Sequence, residues 1–158
     1  MAFSLSAFSG CVLMNKVFFS PGEGCRHAII EQLNQSISSI KICVFTISDD
    51  LITEIIIARH KFGINVRIIT DNDKCYDDGS DIEKLHRCGI EVKVDKSPYH
   101  MHHKFAIIDN KVALTGSYNW TRSAALYNHE NVVFTSEKEI VKGFKDEFDK
   151  LWEQMEDY

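Results

Sequence analysis

The stretch PYHMHHKFAIIDNKVALTGSYNW, residues 98–120, sets three histidines and a lysine at the start of an apolar run and follows them with Gly-Ser-Tyr-Asn-Trp. In an extended strand, side chains alternate between faces. His102, Lys104, Ala106 and Ile108 therefore share one face, and His103, Phe105, Ile107 and Asp109 share the other. Asn110-Lys111 suits a two-residue turn, because Asn tolerates positive φ. A loop of that length pairs Asp109 with Val112, Lys104 with Ser117 and His102 with Asn119, with about 5 Å between opposed Cβ atoms. An imidazole, an ammonium, a hydroxyl and a carboxamide then converge. The ammonium supplies charge, the hydroxyl and carboxamide supply neutral donors, and the imidazole can act as base or nucleophile. Such a set has the makings of a phosphate site.

The order H-x-K-x4-D followed by G-S-x-N resembles the HKD motif of the phospholipase D superfamily. His102, Lys104 and Asp109 fit the first part, and Gly116, Ser117 and Asn119 fit its companion. Glu130 in NHENVVF matches the downstream carboxylate that, in this family, hydrogen-bonds the catalytic imidazole. The hydrophobic pattern from about residue 16 onward is similar to the small single-motif branch, which includes bacterial endonucleases and the mitochondrial cardiolipin hydrolase (Zucchini) proteins. The resemblance implies an α-β-α sandwich and a catalytic set of His102, Lys104, Ser117, Asn119 and Glu130. Asp109 has the wrong parity for the site and is read, with Gly116, as a structural member of the motif.

The resemblance also implies two HKD motifs per active site, one histidine forming a phosphohistidine and the other protonating the leaving oxygen. No second H-x-K occurs, since HKF at 60 and HRC at 86 both fail. The partner histidine is therefore expected from a second copy, in a homodimer with the active site on its twofold axis. Two chemically identical imidazoles would then titrate as a pair. Glu130 would stabilise an imidazolium or fix its tautomer. No metal or cofactor is required, because the lysines take the electrostatic role.

The elements that must position these residues alternate along the chain. Short β-branched runs (KVFFS, IKICVFTI, INVRIIT, IEVKVD) are separated by segments with helical spacing. Ile29, Leu33, Ile37 and Ile40 mark one helix, and Leu51, Ile52, Ile55, Ile56 and Phe62 another, capped by Asp49 or Asp50 and closed by Gly63. Ser80 with Glu83 and Ser136 with Glu139 read as capping boxes. The last helix is expected to bury Ile140, Phe144, Phe148, Leu151 and Met155. This alternation predicts an α/β fold, a mixed central β-sheet flanked by helices on both faces. Residues 1–15 read as an N-terminal segment, either a disordered start or a small docking segment, and 16–158 as a single phospholipase D-like catalytic domain.

The chain has 158 residues, 44% of them apolar and 26% charged, with a net charge of −5. An acidic surface does not advertise nucleic-acid binding as a whole, so a polyanion must be held locally. Lys93, Lys96, His100, His103 and Arg122 are the candidates to track phosphates, with Tyr99, Tyr118 or Trp120 to stack bases. Trp120 reads rather as core. The five cysteines contain no CxxC pair, which favours free thiols in a reducing compartment over disulfides. Cys75, His86 and Cys88 read as lone residues rather than a zinc site. The N-terminus is mildly apolar but has no basic residue before Lys16, which suits neither a secretory signal nor a membrane span. A cytoplasmic enzyme is expected, with peripheral membrane association left open. The preferred substrate is single-stranded DNA or RNA. The alternative is cardiolipin or another anionic phospholipid at a membrane surface. A binding module that has lost catalysis is disfavoured by the intact motif.

Overall fold

The computed structural model describes residues 13–158. Eight strands form one sheet: β1 (Asn15–Phe19), β2 (Ser39–Val44), β4 (Asn65–Thr70), β5 (Glu91–Val94), β6 (Lys104–Ile108), β7 (Val112–Gly116), β9 (Asn131–Thr135) and β10 (Glu156–Asp157). Their order across it is β1-β9-β7-β6-β2-β4-β5-β10. β2, β4 and β5 run parallel, the neighbours from β6 to β1 pair antiparallel, and β10 pairs antiparallel with β5. Two further strands, β3 (Ile47–Ser48) and β8 (Trp120–Thr121), pair in parallel by themselves.

The sheet is covered on both faces, because its strands are apolar on both. Ile40, Ile42, Val66, Ile68, Ala106 and Leu114 face a core shared with α1 (Gly24–Asn34), α2 (Asp50–Lys61), α3 (Ile82–Arg87) and α4 (Arg122–Leu126). Cys43, Ile69, Phe105, Ile107 and Ala113 face α5 (Lys138–Gln154) through Val141, Phe148 and Trp152. Lys41 and Arg67 lie on this second face and pack over Phe148 and Trp152 respectively, with Lys41 paired to Asp149. The α5 cover stops short of the β1–β9 edge, where Val17, Phe19 and Val133 remain exposed. Under α1, buried Arg26 meets buried Asp49 at 2.8 Å, while Asp49 also caps α2 by accepting the Leu51 N–H.

Several local expectations differ from the structure. The first helix ends at Asn34; Ile37 is exposed and Ile40 belongs to β2. The run 40–47 divides into β2 and β3, so its end leaves the main sheet. In α2, Ile52 and Ile56 are buried, but Leu51 and Phe62 are exposed. Neither capping box forms. Asp81 precedes α3 and its carboxylate accepts from the Thr53 hydroxyl instead, while Glu83 pairs with Arg87. The Ser136 hydroxyl accepts the Met14 N–H, which fastens the start of β1 to β9 rather than capping α5. On α5, Trp152 and Val141 are buried and Ile140 is half exposed. The proposed boundary at residue 15/16 falls within β1, and the rest of the N-terminal reading, with Cys11, lies outside the described residues. Cys25, Cys43, Cys75 and Cys88 are free thiols.

Candidate active site

The hairpin that carries the motif is shifted by one residue from the expected register. Ile108 pairs with Val112 and Phe105 with Thr115, which places Lys104 opposite Gly116 rather than Ser117. The cause is Asp109. It and Asn110 take positive φ (55° and 52°), and Lys111 N–H closes the turn on Ile108 O. The Asp109 carboxylate accepts from the N–H groups of Ile37, Ser38 and Ser39 and from the Ser38 hydroxyl. Burial raises its pKa, but these donors outweigh that and hold it below the usual carboxylate range. Asp109 thus fastens the far end of β6 to β2.

Convergence survives the shift because β7 leaves regular pairing after Gly116. Ser117 and Tyr118 both direct their N–H groups at Asn131 O. Gly116 lies so close to β9 that a Cβ there would stand 2.1 Å from the same oxygen. Tyr118 turns into the core and the flanking Ser117 and Asn119 face outward. His102, Lys104, Gly116, Ser117, Asn119 and Glu130 line one open depression of about 440 Å³. No apolar side chain lines it. The Ser117 hydroxyl accepts the Asn131 N–H. Asn119 Oδ1 is buried without a hydrogen-bond partner among the described residues.

Lys104 Nζ donates to His102 O at 2.9 Å and stands 3.3 Å from both ring nitrogens, so it is aimed at neither lone pair. Partial burial lowers the His102 pKa, and the Lys104 ammonium and His100 lower it further. Burial likewise lowers Lys104, which Glu130 partly offsets. The neutral imidazole is thereby favoured near neutrality. Glu130 makes no hydrogen bond to His102; its carboxylate receives the Asn128 amide at 3.5 Å.

Of the other expected contacts, Lys93 donates to Trp152 O and packs over its ring, and Lys96 pairs with Glu156. Both belong to the β5–β10–α5 corner, away from the depression. Arg122 pairs with Asp50. His103 lies on the α5 face, edge-on to Phe105. Tyr118 and Trp120 are buried and cannot stack bases, whereas Tyr99 is exposed. His100 is beside the site, its Nδ1 3.1 Å from the buried Asp71 carboxylate.

Two residues escaped the sequence reading. Phe45, just beyond β2, holds His100 and His102 against its ring at 5.3 and 4.6 Å and carries Lys104 Nζ at 5.1 Å. Within an apolar run it looked like core; only the Phe45 N–H to His103 O bond brings it here. Asp71 follows the carboxyl end of parallel strand β4, a position where α/β sheets place ligands, and that was the available signal.

Residues 29–152 match the family described as cardiolipin synthase, PLD-like domain. The chain belongs to the phospholipase D superfamily. It is 45% identical over 126 residues to a mitochondrial cardiolipin hydrolase of Chlamydomonas reinhardtii, covering 80% of this chain and 56% of that protein. The Homo sapiens protein of the same name is 39% identical over 134 residues, covering 85% and 53%. The chain thus spans about half the length of these relatives. Among solved structures, NucT from Helicobacter pylori superposes with a TM-score of 0.85 at 26% identity, covering 92% of this chain and 99% of that one. The phospholipase D family member Nuc from Salmonella typhimurium gives 0.85 at 24% identity, covering 92% and 98%, a likeness of fold. Among the described residues, no helix is long and apolar enough to cross a membrane.

Proposed function

We propose that this superfamily member is a metal-independent phosphodiesterase that forms a phosphohistidine on His102. In the first step the neutral imidazole attacks phosphorus; a P–N bond forms, the P–O bond to the leaving alcohol breaks, and that oxygen takes a proton from His102 of the partner subunit. Water then attacks the phosphohistidine, giving its proton to the same partner imidazole, and the P–N bond breaks. Lys104 draws the phosphoryl charge to the imidazole, and Ser117 and Asn119 bound the site that receives it. A homodimer supplies the second histidine. The bare β1–β9 edge, with Val17, Phe19 and Val133 exposed beside Asn131 and Ser117, offers an apolar surface for the second copy.

The preferred substrate is single-stranded nucleic acid, cut internally. The observation that carries this reading is the lining of the depression, which is open and made of polar residues and glycine. A second reading, hydrolysis of cardiolipin, is favoured by the names of the relatives. Wild type and His102→Asn would be incubated in EDTA with labelled single-stranded DNA, single-stranded RNA and cardiolipin vesicles. Oligonucleotide cleavage by wild type alone is the expected result. Phosphatidic acid released with oligonucleotides intact would favour the lipase, and activity lost on chelation would overturn the metal-independent step.

A further inference from the structure

The Asp71–His100 pair borders the depression and takes no part in the steps above. Asp71 is fully buried. Its Oδ1 accepts the N–H groups of Asp73 and Lys74, each at 3.1 Å. Its Oδ2 accepts the Met101 N–H at 3.1 Å and meets His100 Nδ1 at 3.1 Å. Asp71, Asp73 and His100 lie within 4.8 Å of one another, close enough to suggest a cation. Both oxygens of Asp71 are already filled, so an ion would have to displace backbone bonds that fix the loop. The pair instead behaves as an oriented imidazole. With its Nδ1 side committed to a buried carboxylate, His100 presents Nε2 outward from a half-exposed ring.

Its position relative to His102 gives the pair a use. The two ring centroids are 6.5 Å apart, and both rings stand against Phe45. Lys74 Nζ lies 5.9 Å from the centre of the same phenyl ring and is paired with Asp77 at 2.7 Å, so the charge offered here is that of His100. A second place for negative charge therefore sits one ring-width from the first. We propose that His100, as an imidazolium donating its Nδ1–H to Asp71 and its Nε2–H outward, binds a second phosphate, the diester adjacent to the one His102 attacks. Asp71 is its positioning residue. The proposal rests on His102 acting at the scissile phosphate. The substrate class it selects has two phosphodiesters joined through three carbons. A nucleic-acid strand has that bridge, through C5′, C4′ and C3′ of each sugar, and cardiolipin has it in its central glycerol. One pocket thus meets the same chemistry in a polymer and in a lipid. The Asp73 carboxylate opposes this binding and limits its strength.

The test uses matched substrates in EDTA: dinucleoside monophosphate against trinucleoside diphosphate, in deoxy and ribo forms, and phosphatidylglycerol against cardiolipin vesicles. His100→Asn keeps a donor toward Asp71 and deletes the Nε2 side. It is expected to reduce the preference for the two-phosphate member about 10-fold, mainly through KM, as loss of a hydrogen bond to a charged group would. Asp71→Asn, verified as folded by its melting curve, should move the ratio the same way, and Asp73→Asn should raise it. Which pair responds distinguishes strand from lipid. A wild type without preference, or a His100→Asn that slows both members equally, would overturn this inference and leave the His102 reading intact. Cleavage that persists in His102→Asn would overturn that reading itself.

Discussion

Asp109 carries the motif's carboxylate, yet its geometry predicts that replacing it damages the fold and spares the chemistry. It stands five residues beyond Lys104 along β6, about 17 Å at the rise of an extended strand. Its carboxylate receives three successive backbone N–H groups and a hydroxyl, the work of an N-cap, whose loss costs about 1–2 kcal/mol. Alanine must also adopt φ near 55°, which Asp tolerates, for about 1 kcal/mol more. Asp109→Ala is therefore expected to lose about 2–3 kcal/mol in urea unfolding, or roughly 5–10 °C in Tm for a chain of this size. Asp109→Asn, which keeps the turn and one acceptor, should lose about half. Because the folded carboxyl titrates below its unfolded value, its stabilisation is complete above about pH 4 and disappears as pH falls through the folded value. The gap between wild type and Asp109→Ala should hold from pH 7 to 5 and narrow in acid. Turnover measured well below both melting temperatures should agree within about threefold. A variant with unchanged stability and abolished turnover would refute the placement of Asp109 in the fold alone.

Three further outcomes are expected. Gly116→Ala should cost about 3 kcal/mol or more in urea unfolding, because its Cβ would meet Asn131 O and force β7 from β9; a loss under 0.5 kcal/mol would contradict the close approach. The His102 Cε1 proton should titrate below the ordinary histidine value, about 6.5, and Lys104→Met should raise that midpoint by removing a neighbouring positive charge. Arg26→Met should cost about 3–5 kcal/mol by leaving Asp49 buried and unpaired, and adding Asp49→Asn should recover part of the loss.

The candidate site was legible in sequence because its polar residues are concentrated in one hairpin and one downstream carboxylate. The alternation of strand faces placed Lys104 with Ala106 and Ile108, as the two cores bear out. The register was not legible. Asn110-Lys111 looked like the turn, and only the Ile37–Ser39 N–H groups, 70 residues away, explain why Asp109 opens it instead. The same blindness to long-range partners turned Ser136 into a helix cap when it binds Met14, and left Lys93 among phosphate ligands when Trp152 holds it. Asp71 and Phe45 were missed because strand ends meet only after the sheet is assembled.

Phe45 has an evolutionary consequence. A single ring touches His100, His102, Lys104 and Lys74, so those four positions share one neighbour. Exchanging it for an aliphatic residue would loosen all four in one step, and a change at Lys74 would register at His102 through the phenyl edge. Substitutions in this group should therefore be epistatic, with double-mutant couplings beyond additivity. A lineage changing any of these four residues would meet Phe45 as the constraint on the order in which changes can be accepted.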